Sequence, residues 1–192
     1  MEPTADKGRL IVVSAPSGAG KTTLCDAVIN RVDNLLYSIS HTTRPPRQGE
    51  KDGEDYFFIS EDEFKDNIKN NNWVEWAKVH GHYYGTHASF IEDNVSKGRN
   101  ILLDIDVQGA KQIVERFPDT VTIFIMPPSF EVLRSRLESR STDSRDVIEQ
   151  RLLSAGNEMD CKDIYNHIIV NDDLETAVNE CLSIINELTA NS

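Results

Sequence analysis

The stretch LIVVSAPSGAGKTTL, residues 10–24, decides the fold. An apolar run ends at a turn built from Ala15, Pro16, Ser17, Gly18, Ala19 and Gly20. Lys21, Thr22 and Thr23 follow, and then an apolar periodic segment. The spacing matches G-x-x-x-x-G-K-[ST], with Ala15 at the first glycine, and the context is the required one: strand before, helix after. Small residues let consecutive backbone N–H groups curl around an anion, and the helix N-terminus adds positive potential. Lys21 supplies a full charge for β- and γ-phosphates, and Thr22 offers a hydroxyl to Mg²⁺. Residues 15–23 are thus expected to cradle a polyphosphate.

Further buried-type strands follow. ILLDID (101–106), TVTIFIM (120–126) and HIIVN (167–171) are rich in Val, Ile and Leu on both faces, like LIVVS (10–14). Such runs belong in a parallel sheet. Helical segments are expected at 22–32, 107–117, 129–140 and 174–188. In the last, Leu174, Val178, Cys181, Leu182, Ile185 and Leu188 form one stripe. The rhythm predicts an α/β fold, a doubly wound parallel sheet carrying the phosphate loop.

Between residues 38 and 89 the rhythm breaks. DYFFIS and NWVEWAKVHGHYYGTH read as strands with a short helix between them, opened by a capping box at Ser60 and Glu63. This is an inserted α+β lobe. SRSTDSRD (139–146) is polar and reads as a mobile loop between two helices. The expected division is a single domain with a core at 8–37, 90–137 and 153–190, a lobe at 38–89 and a lid at 138–152.

Composition narrows the function. The chain has 192 residues, 39% of them hydrophobic, and a net charge of −12 with a pI near 4.8. General attraction to nucleic acid or anionic membrane is disfavoured, so anions must be held by local donor clusters. Cys25, Cys161 and Cys181 are odd in number and lack metal spacing, which fits a reducing, cytoplasmic setting. No run approaches the ~20 apolar residues of a membrane span. The five histidines, His41, His80, His82, His87 and His167, show no metal spacing and read as surface or loop residues.

A nucleotide switch needs N-K-x-D to read guanine at the triphosphate site, and none is present. Asp104 and Asp106 in ILLDIDVQG leave hydrolysis open. The lobe favours transfer instead: in SHTTRPPRQGEKDGEDY, Arg44 and Arg47 stand three apart on a proline-stiffened loop, followed by Tyr56. Two guanidinium groups and a phenol make a second anion site of phosphate size. YYGT adds Tyr84 and Thr86.

These motifs together resemble the guanylate kinase family, from LIVVSAPSGAGKTTL through SISHTTRPPRQGEKDGEDYFF, EWAKVHGHYYGT, ILLDIDVQGA and IFIMPPS to IIVNDD. The resemblance implies Mg²⁺-dependent transfer of the γ-phosphoryl group of ATP to GMP, in purine nucleotide metabolism. It places Ser40, Arg44, Arg47, Glu50, Tyr56, Glu75, Tyr84, Thr86, Asp104 and Asp106 at the GMP site. Arg44, Arg47, Tyr56 and Tyr84 would hold the phosphate, and Glu75 and Asp106 would face the base. One carboxylate can accept from the N1–H and 2-amino groups of guanine together; adenine offers neither donor there. ATP would be held by residues 15–23 (Ala15, Pro16, Ser17, Gly18, Ala19, Gly20, Lys21, Thr22, Thr23) and, at the adenine edge, by Asn171. Lys21, Arg44, Arg136, Arg140 and Arg151 would be catalytic. Thr22 would meet the metal directly and Asp104 through water. Ser141 stands where the family commonly has glycine. GMP is expected to close the lobes over the reacting groups, and no nucleic acid, membrane or obligate protein partner is expected.

Two rivals remain at this stage. Scaffold domains of the same fold bind phosphorylated peptides, but usually without an intact phosphate loop. A related kinase could act on another monophosphate, against which Glu75 argues.

Overall fold

The computed structural model describes residues 7–79, 81–139 and 145–190. In chain order the elements are β1 (Leu10–Ser14), α1 (Lys21–Ile29), β2 (Leu35–Ser38), β3 (His41–Thr42), β4 (Phe57–Phe58), α2 (Glu61–Lys69), β5 (Trp73–Val79), β6 (His82–His87), α3 (Ala88–Val95), β7 (Asn100–Asp104), α4 (Val107–Arg116), β8 (Val121–Met126), α5 (Phe130–Ser139), α6 (Arg145–Met159), a 3-10 turn at Lys162–Ile164, β9 (His167–Val170) and α7 (Leu174–Ala190). They fall into two compact units: residues up to Leu10 with Asn34–Thr120, and Ile11–Asp33 with the chain from Val121 onward.

In the first unit β2 and β7 pair in parallel, Leu35 opposite Asn100 and Ser38 opposite Leu103. Ile101, Leu102 and Leu103 are all buried, as a strand covered on both faces requires. The inserted lobe is a four-stranded sheet in the order β4-β3-β6-β5, with β5 and β6 antiparallel. Its helix α2 starts where the capping box predicts: Ser60 Oγ accepts from the Glu63 N–H at 3.1 Å. Of DYFFIS, Phe57–Phe58 is strand. Phe64 on α2 is fully buried, stacked on Trp73 at 4.5 Å and on Tyr83 at 5.2 Å. Phe64→Ala removes this stacking and leaves a cavity, so we expect a loss of about 3–5 kcal/mol, measured by urea unfolding.

The second unit is built on β1, β8 and β9, all parallel, with Val12 opposite Thr122 and Ile125 opposite Ile169. Helices α1 and α7 pack together, as do α5 and α6. Both units therefore bear out the α/β expectation. Two apolar assignments need correction. In β9 only Ile169 is buried, while Ile168 and Val170 are exposed, because among the described residues β9 pairs with β8 alone and α7 packs on it. On α7 the core stripe is Ala177, Val178, Cys181 and Ile185, and Leu174 at its start is exposed. Burial pushes the Cys181 thiol up to about 12, so it behaves as a small hydrophobe. Of the expected loop 139–146, Ser139 ends α5 and Arg145 opens α6; residues 140–144 lie outside the described residues.

The histidines also need correction. His41, His82, His87 and His167 all lie in strands rather than loops, and in the lobe His41 and His87 stand among aromatic rings; His80 lies outside the described residues. His41 stands 4.7 Å from Phe57 and 5.1 Å from Trp73, with His87 at 6.0 Å, and its Nδ1 is buried without a partner. Burial, and then the neighbouring His87, push its imidazole down to about 4. In the unfolded chain it titrates near 6.5. The unfolded state therefore takes the proton first as pH falls. The stabilising contribution is complete above about pH 6.5 and is lost on going down to pH 4. The wild-type protein should lose on the order of 1–2 kcal/mol between pH 7.5 and pH 5 from this residue, after allowance for the exposed part of the ring. His41→Phe should flatten that part of the urea-midpoint profile.

Candidate active site

Residues 15–23, the expected phosphate loop, lie in the second unit. Its glycines are needed: Gly18 and Gly20 hold φ of 96° and 95°, and a Cβ on Gly18 would press on Leu133 and Leu137 of α5. Ala15 is not so constrained. Among the described residues the non-glycine positions with positive φ are Asn34 and Asn71, so alanine at the first glycine position carries no left-handed strain. The Ala19 N–H donates to the Pro16 carbonyl at 3.0 Å, closing the turn. Gly20 precedes α1, whose first turn has no acidic residue and starts with the half-buried Lys21 and the exposed Thr22 and Thr23. The amide end of the helix is thus left positive.

Three other elements reach this loop. Asn171, 4% exposed after β9, donates from Nδ2 to the Ala19 carbonyl at 2.7 Å. A Cβ on Gly20 would overlap that amide nitrogen. From α5, Arg136 donates to the Asn171 carbonyl at 3.0 Å and to the Ala19 carbonyl at 3.4 Å. From α6, Arg151 donates to Ser17 Oγ. Arg134 instead pairs with Glu149, tying α5 to α6 on the surface. Arg140 and Ser141 lie outside the described residues.

The residues expected to form the second anion site lie wholly in the first unit. Arg44 Nη2 meets Glu50 Oε1 at 2.8 Å, Nη1 donates to the Pro45 carbonyl at 2.9 Å, and the guanidinium carbon lies 5.4 Å from the Tyr56 ring centroid. Tyr56 and Tyr84 meet edge-on with centroids 5.9 Å apart. Burial alone would lower the Arg44 pKa, but Glu50 and Tyr84 outweigh it and hold the guanidinium above its ordinary value. Arg44 in turn draws Glu50 below the usual carboxylate range. The other oxygen of Glu50 accepts from the Arg47 N–H at 2.7 Å. Glu50 thus shapes the loop that carries both arginines. Arg44, Tyr56, Tyr84 and Glu50 form one cluster, whereas Arg47 joins it through its backbone and its side chain is exposed.

In the same unit Glu75 is buried, 3% exposed, and faces Thr86 across the β5–β6 pair. Thr86 Oγ1 donates to Glu75 Oε1 at 2.6 Å. Strict alternation would put this position on the face of Trp73, but the register shifts between Trp73 and Glu75, and the bulge re-aims the side chain onto the face of Thr86. Asp106 caps α4: Oδ1 accepts from the Gly109 N–H at 2.9 Å and Oδ2 from Gln108 Nε2 at 3.1 Å. Asp104 ends β7 with Tyr37 Oη 3.5 Å from Oδ2. Ser40 is buried, and its carbonyl accepts from the Phe57 N–H at 3.0 Å. Residue typing missed Tyr37 and Gln112, which carry no motif, and assigned nothing to Gly109.

Among the described residues no cluster of three metal-ligating side chains occurs. The residues expected to serve a metal, Thr22 in the second unit and Asp104 in the first, each offer a hard oxygen. Hard oxygens are the donor type Mg²⁺ takes, and that ion keeps water and phosphate oxygens rather than an all-protein cage. All described residues predicted for ATP fall in the second unit, and all predicted for GMP fall in the first.

The guanylate kinase family model matches residues 7–188. A guanylate kinase of Geobacter sulfurreducens is 51% identical over 179 residues, covering 93% of this chain and 88% of that protein. One from Caldanaerobacter subterraneus subsp. tengcongensis is 49% identical over 179 residues, covering 93% and 87%. The crystal structure of guanylate kinase from Anaplasma phagocytophilum superposes with a TM-score of 0.80 at 37% identity, covering 95% of this chain and 86% of that one. By the family model across residues 7–188 and these relatives, the chain belongs to the guanylate kinase family, the nucleoside monophosphate kinases that act as ATP:GMP phosphotransferases.

Proposed function

We propose that the chain transfers the γ-phosphoryl group of ATP to GMP, with the phosphate loop holding ATP and the lobe holding GMP. The observation that carries this reading is Glu75: a buried carboxylate, with a hydroxyl on one oxygen, in the unit that holds the Arg44–Tyr56–Tyr84 cluster. A guanine edge supplies the two donors such an acceptor needs, and a phosphate oxyanion suits the cluster.

The nucleophile is a GMP phosphate oxygen, already anionic at pH 7. Its lone pair forms the new P–O bond as the bond from the γ-phosphorus to the bridging oxygen breaks, and ADP leaves with that electron pair. No base is required, so catalysis is positioning and charge neutralisation. Lys21 and the α1 amide end bear on the ATP phosphates, and Arg44, Arg47, Tyr56 and Tyr84 orient the acceptor. Arg136, Arg140 and Arg151 are the cations that neutralise the charge of the transferring group. Thr22 would hold Mg²⁺ by its hydroxyl and Asp104 would act on the ion through water; the bound ion would supply charge neutralisation for the ATP oxygens. Asn171 serves ATP by bracing the Ala19 carbonyl, beside any contact with the adenine edge. Residues 138–152 act as a lid that excludes water, and 38–89 as the GMP lobe.

An ADP-release assay with GMP, AMP, CMP and UMP tests this. ADP should appear with GMP and stay near background with the other three. Tight GMP binding with no ADP release would make the chain a binding module instead. Among the described residues no helix is long and apolar enough to cross a membrane. Cys25, Cys161 and Cys181 form no disulfide, in keeping with a cytoplasmic site of action.

A further inference from the structure

We infer that Gly109 and Gln112, one turn apart on α4, are positioning residues that set the Glu75 carboxylate for guanine. This rests on the reading of Glu75 as the guanine contact. Three observations meet here. Glu75 is fixed from one side by Thr86, which holds Oε1. On the other side a Cβ at residue 109 would overlap Oε2 and lie 3.1 Å from Cδ, so the carboxylate occupies the space that glycine leaves empty. The strand that carries Glu75 is itself tied to α4. Gln112 Nε2 donates to the Trp76 carbonyl at 2.8 Å, and its Oε1 accepts from the Trp76 N–H at 3.2 Å. The Gln112 amide thus serves the next residue of β5 as a neighbouring strand would.

The bulge before Glu75 sends the side chain towards α4, Gln112 sets the distance of the strand, and Gly109 admits the carboxylate. Asp106 secures the turn by accepting from the Gly109 N–H, so the backstop cannot unwind without losing its cap. The methyl group of alanine at 109 meets the far end of a flexible side chain, and alanine is the better helix former. The fold therefore tolerates the change while the carboxylate moves. A displacement of about 1 Å in a reading group costs about 10²-fold.

The test measures kcat/KM for GMP and AMP, the KM for ATP and the melting temperature in Gly109→Ala, Gln112→Ala, Glu75→Ala and the Gly109→Ala/Glu75→Ala double variant. Gly109→Ala should lower the GMP-over-AMP ratio by about 10²-fold with the ATP KM and melting temperature unchanged. In the Glu75→Ala background it should have no further effect on that ratio, since the group it displaces is gone. Gln112→Ala should raise the KM for GMP and leave that for ATP alone, and it carries the test should Gly109→Ala fail to fold. Full GMP preference in Gly109→Ala, or an undiminished effect on top of Glu75→Ala, overturns the proposal. Full preference in Glu75→Ala overturns the base reading beneath it, a separate and distinguishable failure.

Discussion

Replacing Lys21 by methionine should reduce GMP-dependent ADP release by about 10³-fold, with little change in the urea midpoint. The stem length is kept and only the ammonium is lost. Lys21 begins α1 immediately after Gly20, where the loop amides and the helix dipole already favour an anion. Those neutral dipoles remain in the variant, so ATP still binds. What disappears is a full charge at the β- and γ-oxygens, where negative charge crowds as the phosphoryl group moves. The loss should therefore fall mainly on kcat, measured in the coupled ADP assay at saturating GMP. A variant retaining more than a tenth of wild-type kcat would remove Lys21 from the catalytic set.

The second large effect belongs to Glu75. Changing it to glutamine keeps its volume and its place against Thr86 but puts an N–H₂ where an acceptor is needed. Guanine's N1–H and 2-amino donors then face a group that can accept at only one atom. Discrimination built on hydrogen-bonding a substrate can reach about 10⁴, and we expect most of it to vanish, with GMP kcat/KM falling and the KM for ATP holding. Parallel assays with GMP and AMP read this directly. If the preference for GMP survives intact, base recognition lies elsewhere in the lobe. The two substitutions separate cleanly, because Lys21 lies in the second unit and Glu75 in the first.

Much of this was legible in the chain alone. β1 is LIVVS as written, and α1 starts at Lys21, one residue before the predicted start, because a phosphate loop dictates its own backbone: left-handed glycines, then a helix amide end. The Ser60 cap and the hairpin within NWVEWAKVHGHYYGTH are likewise local, set by nearby residues. The short strand at Leu35–Ser38 and the helix at Ala88–Val95 carry little periodicity of their own: the strand pairs with β7, and the helix packs on β7, β5 and β6.

What only the tertiary structure decided was which side chains meet. In the sequence Glu75 reads as the surface carboxylate of an amphipathic strand; in the structure a register shift puts it on the face of Thr86, where it is buried. Gly109 in DVQG carries no message until β5 lies against α4, and Asn171 none until its amide reaches a carbonyl 152 residues away in the chain. Motifs are local because a bound phosphate is met by consecutive amides. Specificity for a base is non-local, because a carboxylate can be held dry and in register only by strands and helices from distant parts of the chain.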